Sequence, residues 1–178
     1  EKPGSGSTTH MSIIDSQGNA ASVTTTNGEG CGYIIPGTGI MMNNILGEED
    51  LNPDGFHNWE TTKRMSTMMS PTIVIGDSGP ELVLGSGGSN RIRSAIKQVI
   101  VNKFTKNMSL EEAIQAPRIH LEENIIHCES GINTAKLIFP WSTIHHWHEK
   151  NLFFGGVNAV TPTNAVGDPR RSGYGLVC

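Results

Sequence analysis

A chain of 178 residues with 36% hydrophobic content and a formal net charge of -4 is long enough for one packed domain and does not have the composition of a disordered segment. Its 13 basic and 17 acidic residues are scattered, which gives no basic footprint for nucleic acid or for an anionic membrane surface. No apolar run is long enough to span a bilayer, the first residues lack the apolar stretch of a signal peptide, and Cys31, Cys128 and Cys178 have neither disulfide-framework nor zinc-ligand spacing.

Twenty-one glycines and only 17% charged residues predict many tight turns between short strands. In chain order, HMSIID and NAASVTTT flank SQG and read as a hairpin; PTIVI and ELVLG flank GDSGP and repeat the pattern, which predicts one antiparallel sheet. Residues 28–63 fit no regular element, and a loop of that length in a compact domain is usually functional or covered by a partner. After LGSGGS, the spacing of Ile92, Ala95, Ile96, Val99, Ile100 and Phe104 predicts a helix with one apolar face on the sheet. Ser109 and Glu112 form a capping box that opens a short helix stopped by Pro117. A further helix is expected near STIHHWHEK, and the segment from Phe153 to Gly173 reads as strand, loop and strand. Strands followed by helices point to an α+β layered domain.

Four stretches carry residues capable of chemistry. At the junction GSGSTTH a threonine hydroxyl is a poor nucleophile unless a base takes its proton; were Thr8 the first residue of a chain, its own α-amino group, with a pKa of roughly 8, would be that base. The alternative is a linker turning into a strand. LGSGGSNRIR passes from strand to helix, so its backbone N–H groups suit an oxyanion hole, a phosphate cradle or a plain tight turn; it lacks the Lys-Ser/Thr of a P-loop and the spacing of a dinucleotide fingerprint. Glu48, Glu49 and Asp50 in NNILGEED suit a substrate ammonium or are solvated. His145 and His148 would share a helix face, but without a third ligand they define a helix end rather than a metal site.

The order of the motifs is more specific than any one of them. TTHMSIID, GNAASVT, GTGIMMNNILGEED, MSPTIV, LVLGSGGSNRI, APRIH and GDPRR together resemble the small, catalytic subunit of γ-glutamyltranspeptidases, members of the N-terminal-nucleophile hydrolase superfamily. The resemblance covers most of the chain and is weakest from about residue 121 to 152. It implies an αββα sandwich of which this chain supplies about half, a large subunit from the same precursor as partner, and no cofactor. Residues 1–7 would then be a leader before the cleavage junction and 8–178 the catalytic small-subunit domain, in a family that is often periplasmic or secreted.

By the same resemblance, cleavage between Ser7 and Thr8 frees a nucleophile that takes the γ-glutamyl group from glutathione or a related amide and passes it to water, an amino acid or a peptide. Until that cut is made, the Thr8 amine is tied in a peptide bond and the site is inactive. Thr26 falls at the supporting hydroxyl and Gly88 and Ser89 at the oxyanion donors, or Gly87 and Gly88 if the loop is shifted by one. Substrate contacts fall at or beside Asn27, Glu48, Glu49 and Thr67. The chain departs from better-known members with Gly28 in place of an Asn, Ile45 in place of a Gln, and Thr67-Met68 in place of paired serines. These changes leave open a related acylase acting on glutaryl or poly-γ-glutamyl amides, and also an unprocessed, non-catalytic fragment.

Overall fold

The computed structural model describes residues 8–136 and 143–178. In chain order its strands are β1 (Thr8–Ile14), β2 (Ala20–Thr26), β3 (Thr72–Gly76), β4 (Gly79–Gly87), β5 (Ile119–Glu122), β6 (Ile125–Cys128), β7 (Thr143–His146), β8 (Gly156–Val160) and β9 (Ala165–Val166). Helices α1 (Arg91–Phe104) and α2 (Leu110–Gln115) lie between β4 and β5. Both expected hairpins form. The first closes on Asp15, whose carboxylate accepts from the N–H groups of Gln17 and Asn19 at 2.8 and 2.9 Å, while Gly18 takes the positive φ of 82° that the turn requires. The two hairpins do not share a sheet, however. β1 and β2 pair only with each other among the described residues, whereas β3, β4, β8 and β9 form a separate antiparallel sheet, in that order.

The reason lies in which side of each hairpin is apolar. Along β4, Leu82, Leu84 and Ser86 point one way; Leu82 and Leu84 join Ile92, Ala95, Ile96 and Val99 of α1 in the core. Each of the buried leucine, isoleucine and valine side chains contributes about 1.5–3 kcal/mol. The opposite face of β4 carries Gly85 and Gly87, which leave room for β1: a Cβ on Gly85 would strike the His10 ring, and one on Gly87 would come within 3.0 Å of the Thr8 carbonyl oxygen. β1 and β2 turn a polar face to this sheet, including His10, Ser12, Ser22 and Thr24, and leave Met11, Ile13 and Val23 exposed. Ser12 Oγ donates to the Asn158 carbonyl, Asn158 Nδ2 to the His10 carbonyl, and Ser22 Oγ to the Leu84 carbonyl. Helices, a four-stranded sheet and a strand pair therefore stack in that order, the α+β layering expected of about half of an αββα sandwich.

His10 is buried in this polar layer. Because Ser12 donates its proton to Asn158, its oxygen must accept from His10 Nε2–H at 2.8 Å, so Nδ1 accepts from the Thr24 hydroxyl, also at 2.8 Å. Desolvation lowers the imidazole pKa from 6.5 to about 4, so the ring stays neutral. The unfolded chain takes up this proton below pH 6.5 and the folded chain does so only near pH 4. Stability from this group is thus complete above pH 6.5 and falls by about 3 kcal/mol as pH drops to 4. Denaturant unfolding between pH 4 and 7 is expected to show that slope, and His10→Gln, which keeps one donor and one acceptor, should flatten it.

α1 buries Ile92, Ala95, Ile96 and Val99 as predicted, Ile100 packs against them in part, and Phe104 stays 40% exposed near the end of the helix. Ser109 and Glu112 make the capping box of α2, which ends before Pro117. The helix expected near STIHHWHEK is instead β7, parallel to β6, with Ser142 outside the described residues. His145 and His148 therefore share no helix face, and among the described residues no group of three or more His, Cys, Asp or Glu is placed to hold a metal ion. No helix among the described residues is long and apolar enough to cross a membrane.

Behind α2, four charged side chains are almost completely buried. Arg118 donates to Asp168 at 2.6 Å, and Arg170 donates to Glu129 at 2.5 Å and to Asp168 at 3.2 Å. Arg170 Nε–H also donates to Glu129 at 2.7 Å, and backbone carbonyls take further donors, Ile114, Phe154 and Gly155 from Arg118 and Ile114 and Ala116 from Arg170. The N–H of Val157 in turn donates to Asp168. The network clamps the start of β8 and the chain just before it.

Candidate active site

The register of the first hairpin places Thr8 directly opposite Thr26, both on the face turned toward β4. Their hydroxyl oxygens are 2.9 Å apart. Thr26 Oγ1 also accepts the Gly28 N–H at 3.0 Å, which leaves its proton able to point at Thr8 Oγ1. Gly28 has φ of 66°, and a Cβ there would collide with the Asn44 side-chain oxygen. Asn44 Oδ1 accepts from the N–H groups of Glu29 and Gly30, while the Asn44 N–H donates to the Asn27 carbonyl. Glycine at 28 is thus what lets the long loop close over the end of β2.

Below Thr8 runs the strand-to-helix turn. Gly88 has φ of 132° and packs against Gly155, where a Cβ would come within 2.8 Å of the Gly155 Cα. Ser89 takes a left-handed φ of 51°, and its hydroxyl donates to Asp50 at 2.5 Å, tying the turn to the acidic loop. The carbonyls of Gly88 and Ser89 accept the first N–H groups of α1, from Arg91 and Ile92.

Thr8, Thr26, Gly28, Gly88 and Ser89 line one cavity of about 870 Å³. Toward the loop its wall is acidic, with Glu29, Glu48, Glu49 and Asp50 beside Asn44. Burial raises the Glu48 pKa above the usual carboxylate value, and the charges of Asp50 and Glu29 push the same way, so a cation among them would relieve the repulsion. Ile45, Met68 and Met69 add an apolar flank. The wall also includes Trp147, Leu152 and Phe153, with Arg91, Arg171 and Glu122.

Of the residues singled out from sequence, Thr8, Thr26, Gly28, Ile45, Glu48, Glu49, Asp50, Met68, Gly88 and Ser89 line this cavity. Asn27 contributes its carbonyl to the loop, Gly87 lies beneath Thr8, and Thr67 Oγ1 accepts the Met69 N–H; these three do not line it. Ser7 lies outside the described residues. Sequence reasoning missed Asn44, Asp50 as the partner of Ser89, Trp147 and Arg171. Each stood in a stretch already noted, Asn44 four residues before Glu48 in NNILGEED, Trp147 in STIHHWHEK and Arg171 in GDPRR, but none had a spacing that marked it.

The family model described as gamma-glutamyltranspeptidase matches residues 1–178. The chain belongs to the γ-glutamyltranspeptidase family. It is 36% identical over 191 residues to the glutathione hydrolase proenzyme of Pseudomonas aeruginosa, covering 96% of this chain and 34% of that protein. It is 34% identical over 158 residues to the Acylase ACY 1 proenzyme of Pseudomonas sp. (strain SE83), covering 88% of this chain and 28% of the acylase. Among solved structures, the γ-glutamyltranspeptidase of Pseudomonas nitroreducens complexed with L-DON is similar with a TM-score of 0.79 at 28% identity, over 96% of this chain and 99% of that one. The α+β layering is therefore that of a γ-glutamyltranspeptidase, while this chain spans about a third or less of the two curated proenzymes.

Proposed function

We propose that this chain is the catalytic part of a γ-glutamyltransferase or glutathione hydrolase, with Thr8 as nucleophile once the bond after Ser7 is cut. The observation that carries the reading is the pair of hydroxyls at 2.9 Å in a cavity that also holds the Gly88–Ser89 turn and a cluster of carboxylates. Cutting before Thr8 frees an α-amine close to its own hydroxyl. That amine takes the hydroxyl proton while Thr26 donates to Thr8 Oγ1 and stabilises its developing charge. Oγ1 attacks the γ-carbonyl, and the backbone N–H groups of Gly88 and Ser89 hold the oxyanion, each donor contributing a few kcal/mol to the barrier reduction. Collapse expels the amine with the proton carried by the Thr8 ammonium, leaving an ester that water or an acceptor amine then opens.

Glu48, with Glu49 near it, is suited to the α-ammonium of a γ-glutamyl donor, and Asn27 and Thr67 support the loops beside it. The relatives are proenzymes about three times as long as this chain, which supports a larger segment of the same precursor as the partner that completes the site. A second reading rests on Ile45, Met68 and Met69: this apolar flank suits a glutaryl-type acyl group that lacks the α-ammonium. Intact-mass analysis of the protein coexpressed with the rest of its precursor separates the readings. A chain beginning at Thr8 and covalently trapped there by a reactive γ-glutamyl analogue is the expected result. Trapping by a glutaryl analogue alone would select the acylase, and full turnover by an uncut chain would overturn both.

A further inference from the structure

The cavity has chemically different walls, and the acidic one suits the α-ammonium of a γ-glutamyl donor. On another stretch of its lining, the ring of Trp147 stacks on Phe153 with centroids 5.0 Å apart and planes 21° from parallel. The Trp147 ring is fixed: its Nε1–H donates to His127 Nδ1 at 3.2 Å, and its backbone N–H donates to the Cys128 carbonyl, which extends β7 by one residue. Arg91 lies over the other ring of this pair, its guanidinium carbon 4.8 Å from the Phe153 centroid, and is anchored by Nε–H to the Phe153 carbonyl at 3.1 Å. Arg91 and Arg171 oppose a single carboxylate here, Glu122, so this wall carries a positive excess where the loop wall is negative.

We infer that the wall formed by Trp147 and Phe153 is the subsite for the amine that leaves and the amine that accepts, and that it selects an α-amino acid with an aromatic side chain as acceptor. The inference rests on the acyl-transfer reading of Thr8. By microscopic reversibility, the amine expelled in forming the acyl-enzyme and the amine that attacks it occupy the same position relative to the acyl carbon. With the γ-glutamyl group held at the acidic wall, that position falls to the remaining lining. The acceptor nitrogen attacks the ester carbonyl and gives its proton to the Thr8 α-amine. The new C–N bond forms as the C–Oγ1 bond breaks, and the proton passes back to Oγ1. A flat side chain gains ring stacking on Trp147, the acceptor carboxylate meets the cationic excess, and a small side chain gains only the second of these.

The test is a competition between L-phenylalanine and L-alanine for one acyl-enzyme, formed from L-glutamine by the cleaved, two-part protein. The ratio of the two transfer products is read within a single reaction. A preference for phenylalanine of about tenfold is expected, a stacking advantage of about 1.4 kcal/mol. Trp147→Phe should keep most of it, and Trp147→Ala should reduce it to twofold or less. A wild-type protein that transfers to both acceptors equally would overturn the inference without any variant, and so would an unchanged ratio in Trp147→Ala. Failure to form any acyl-enzyme on Thr8 would instead overturn the acyl-transfer reading beneath it.

Discussion

Replacing Thr8 with alanine is expected to lower amide turnover by at least roughly 10⁴-fold, because without the hydroxyl no acyl-enzyme can form and only binding and oxyanion stabilisation remain. The substitution should leave the fold intact. Thr8 is the first residue of β1, the pairing register continues through Thr9 opposite Thr25, and the hydroxyl's partner among the described residues, Thr26, keeps its second bond to the Gly28 N–H. Intact-mass measurement is expected to show the bond between Ser7 and residue 8 uncut in the alanine variant, since the same hydroxyl is proposed to attack the preceding carbonyl. Thr8→Ser retains an oxygen nucleophile and an α-amine and should be cut and partly active. A Thr8→Ala protein that is processed and turns over at the wild-type rate would remove Thr8 from the mechanism.

The second large effect concerns stability. Asp168 is fully buried and accepts from four donors: Arg118 Nη2 at 2.6 Å, Arg170 Nη1 at 3.2 Å, the Arg170 N–H at 3.0 Å and the Val157 N–H at 2.9 Å. Asp168→Ala leaves two buried guanidinium groups with Glu129 as the remaining carboxylate of the network. Breaking a buried pair in this way costs about 3–5 kcal/mol, much of the roughly 5–15 kcal/mol that holds a domain folded. Denaturant titration should show a large fall in the midpoint. A loss below about 1 kcal/mol would mean that water reaches the vacated site and solvates both arginines.

The features legible in the sequence are those set by neighbours along the chain. Asp15 and Gly18 dictate the first turn, the spacing from Ile92 to Val99 dictates α1, and Ser109 with Glu112 dictates the start of α2. The pairing of Thr8 with Thr26 follows from that turn and the equal length of the two strands. The partition into two sheets was not legible, because the first hairpin inverts the usual rule: Ser12, Ser22 and His10 face inward and Met11, Ile13 and Val23 outward. β7 was misread because HHWHE matches a helical spacing as well as a strand, and its pairing with β6 is decided by chain 18 residues distant. In the site, the Gly-rich turn and acidic loop announced themselves as motifs. Ser89 with Asp50, and Trp147 with Phe153, became neighbours only through packing.

The buried charge network also bears on when the site can come into being. Its members stand at positions 118, 129, 168 and 170, and Arg118 holds the carbonyls of Phe154 and Gly155, the latter being the residue on which Gly88 rests. During synthesis the hairpin bearing Thr8 therefore emerges some 150 residues before the floor beneath Gly88 is braced. The Thr8 hydroxyl is made early, whereas the chain that braces the Gly88–Ser89 turn is made late. The brace beneath Gly88 is therefore among the last parts of the fold to be completed, since it waits for Arg170 to meet Glu129.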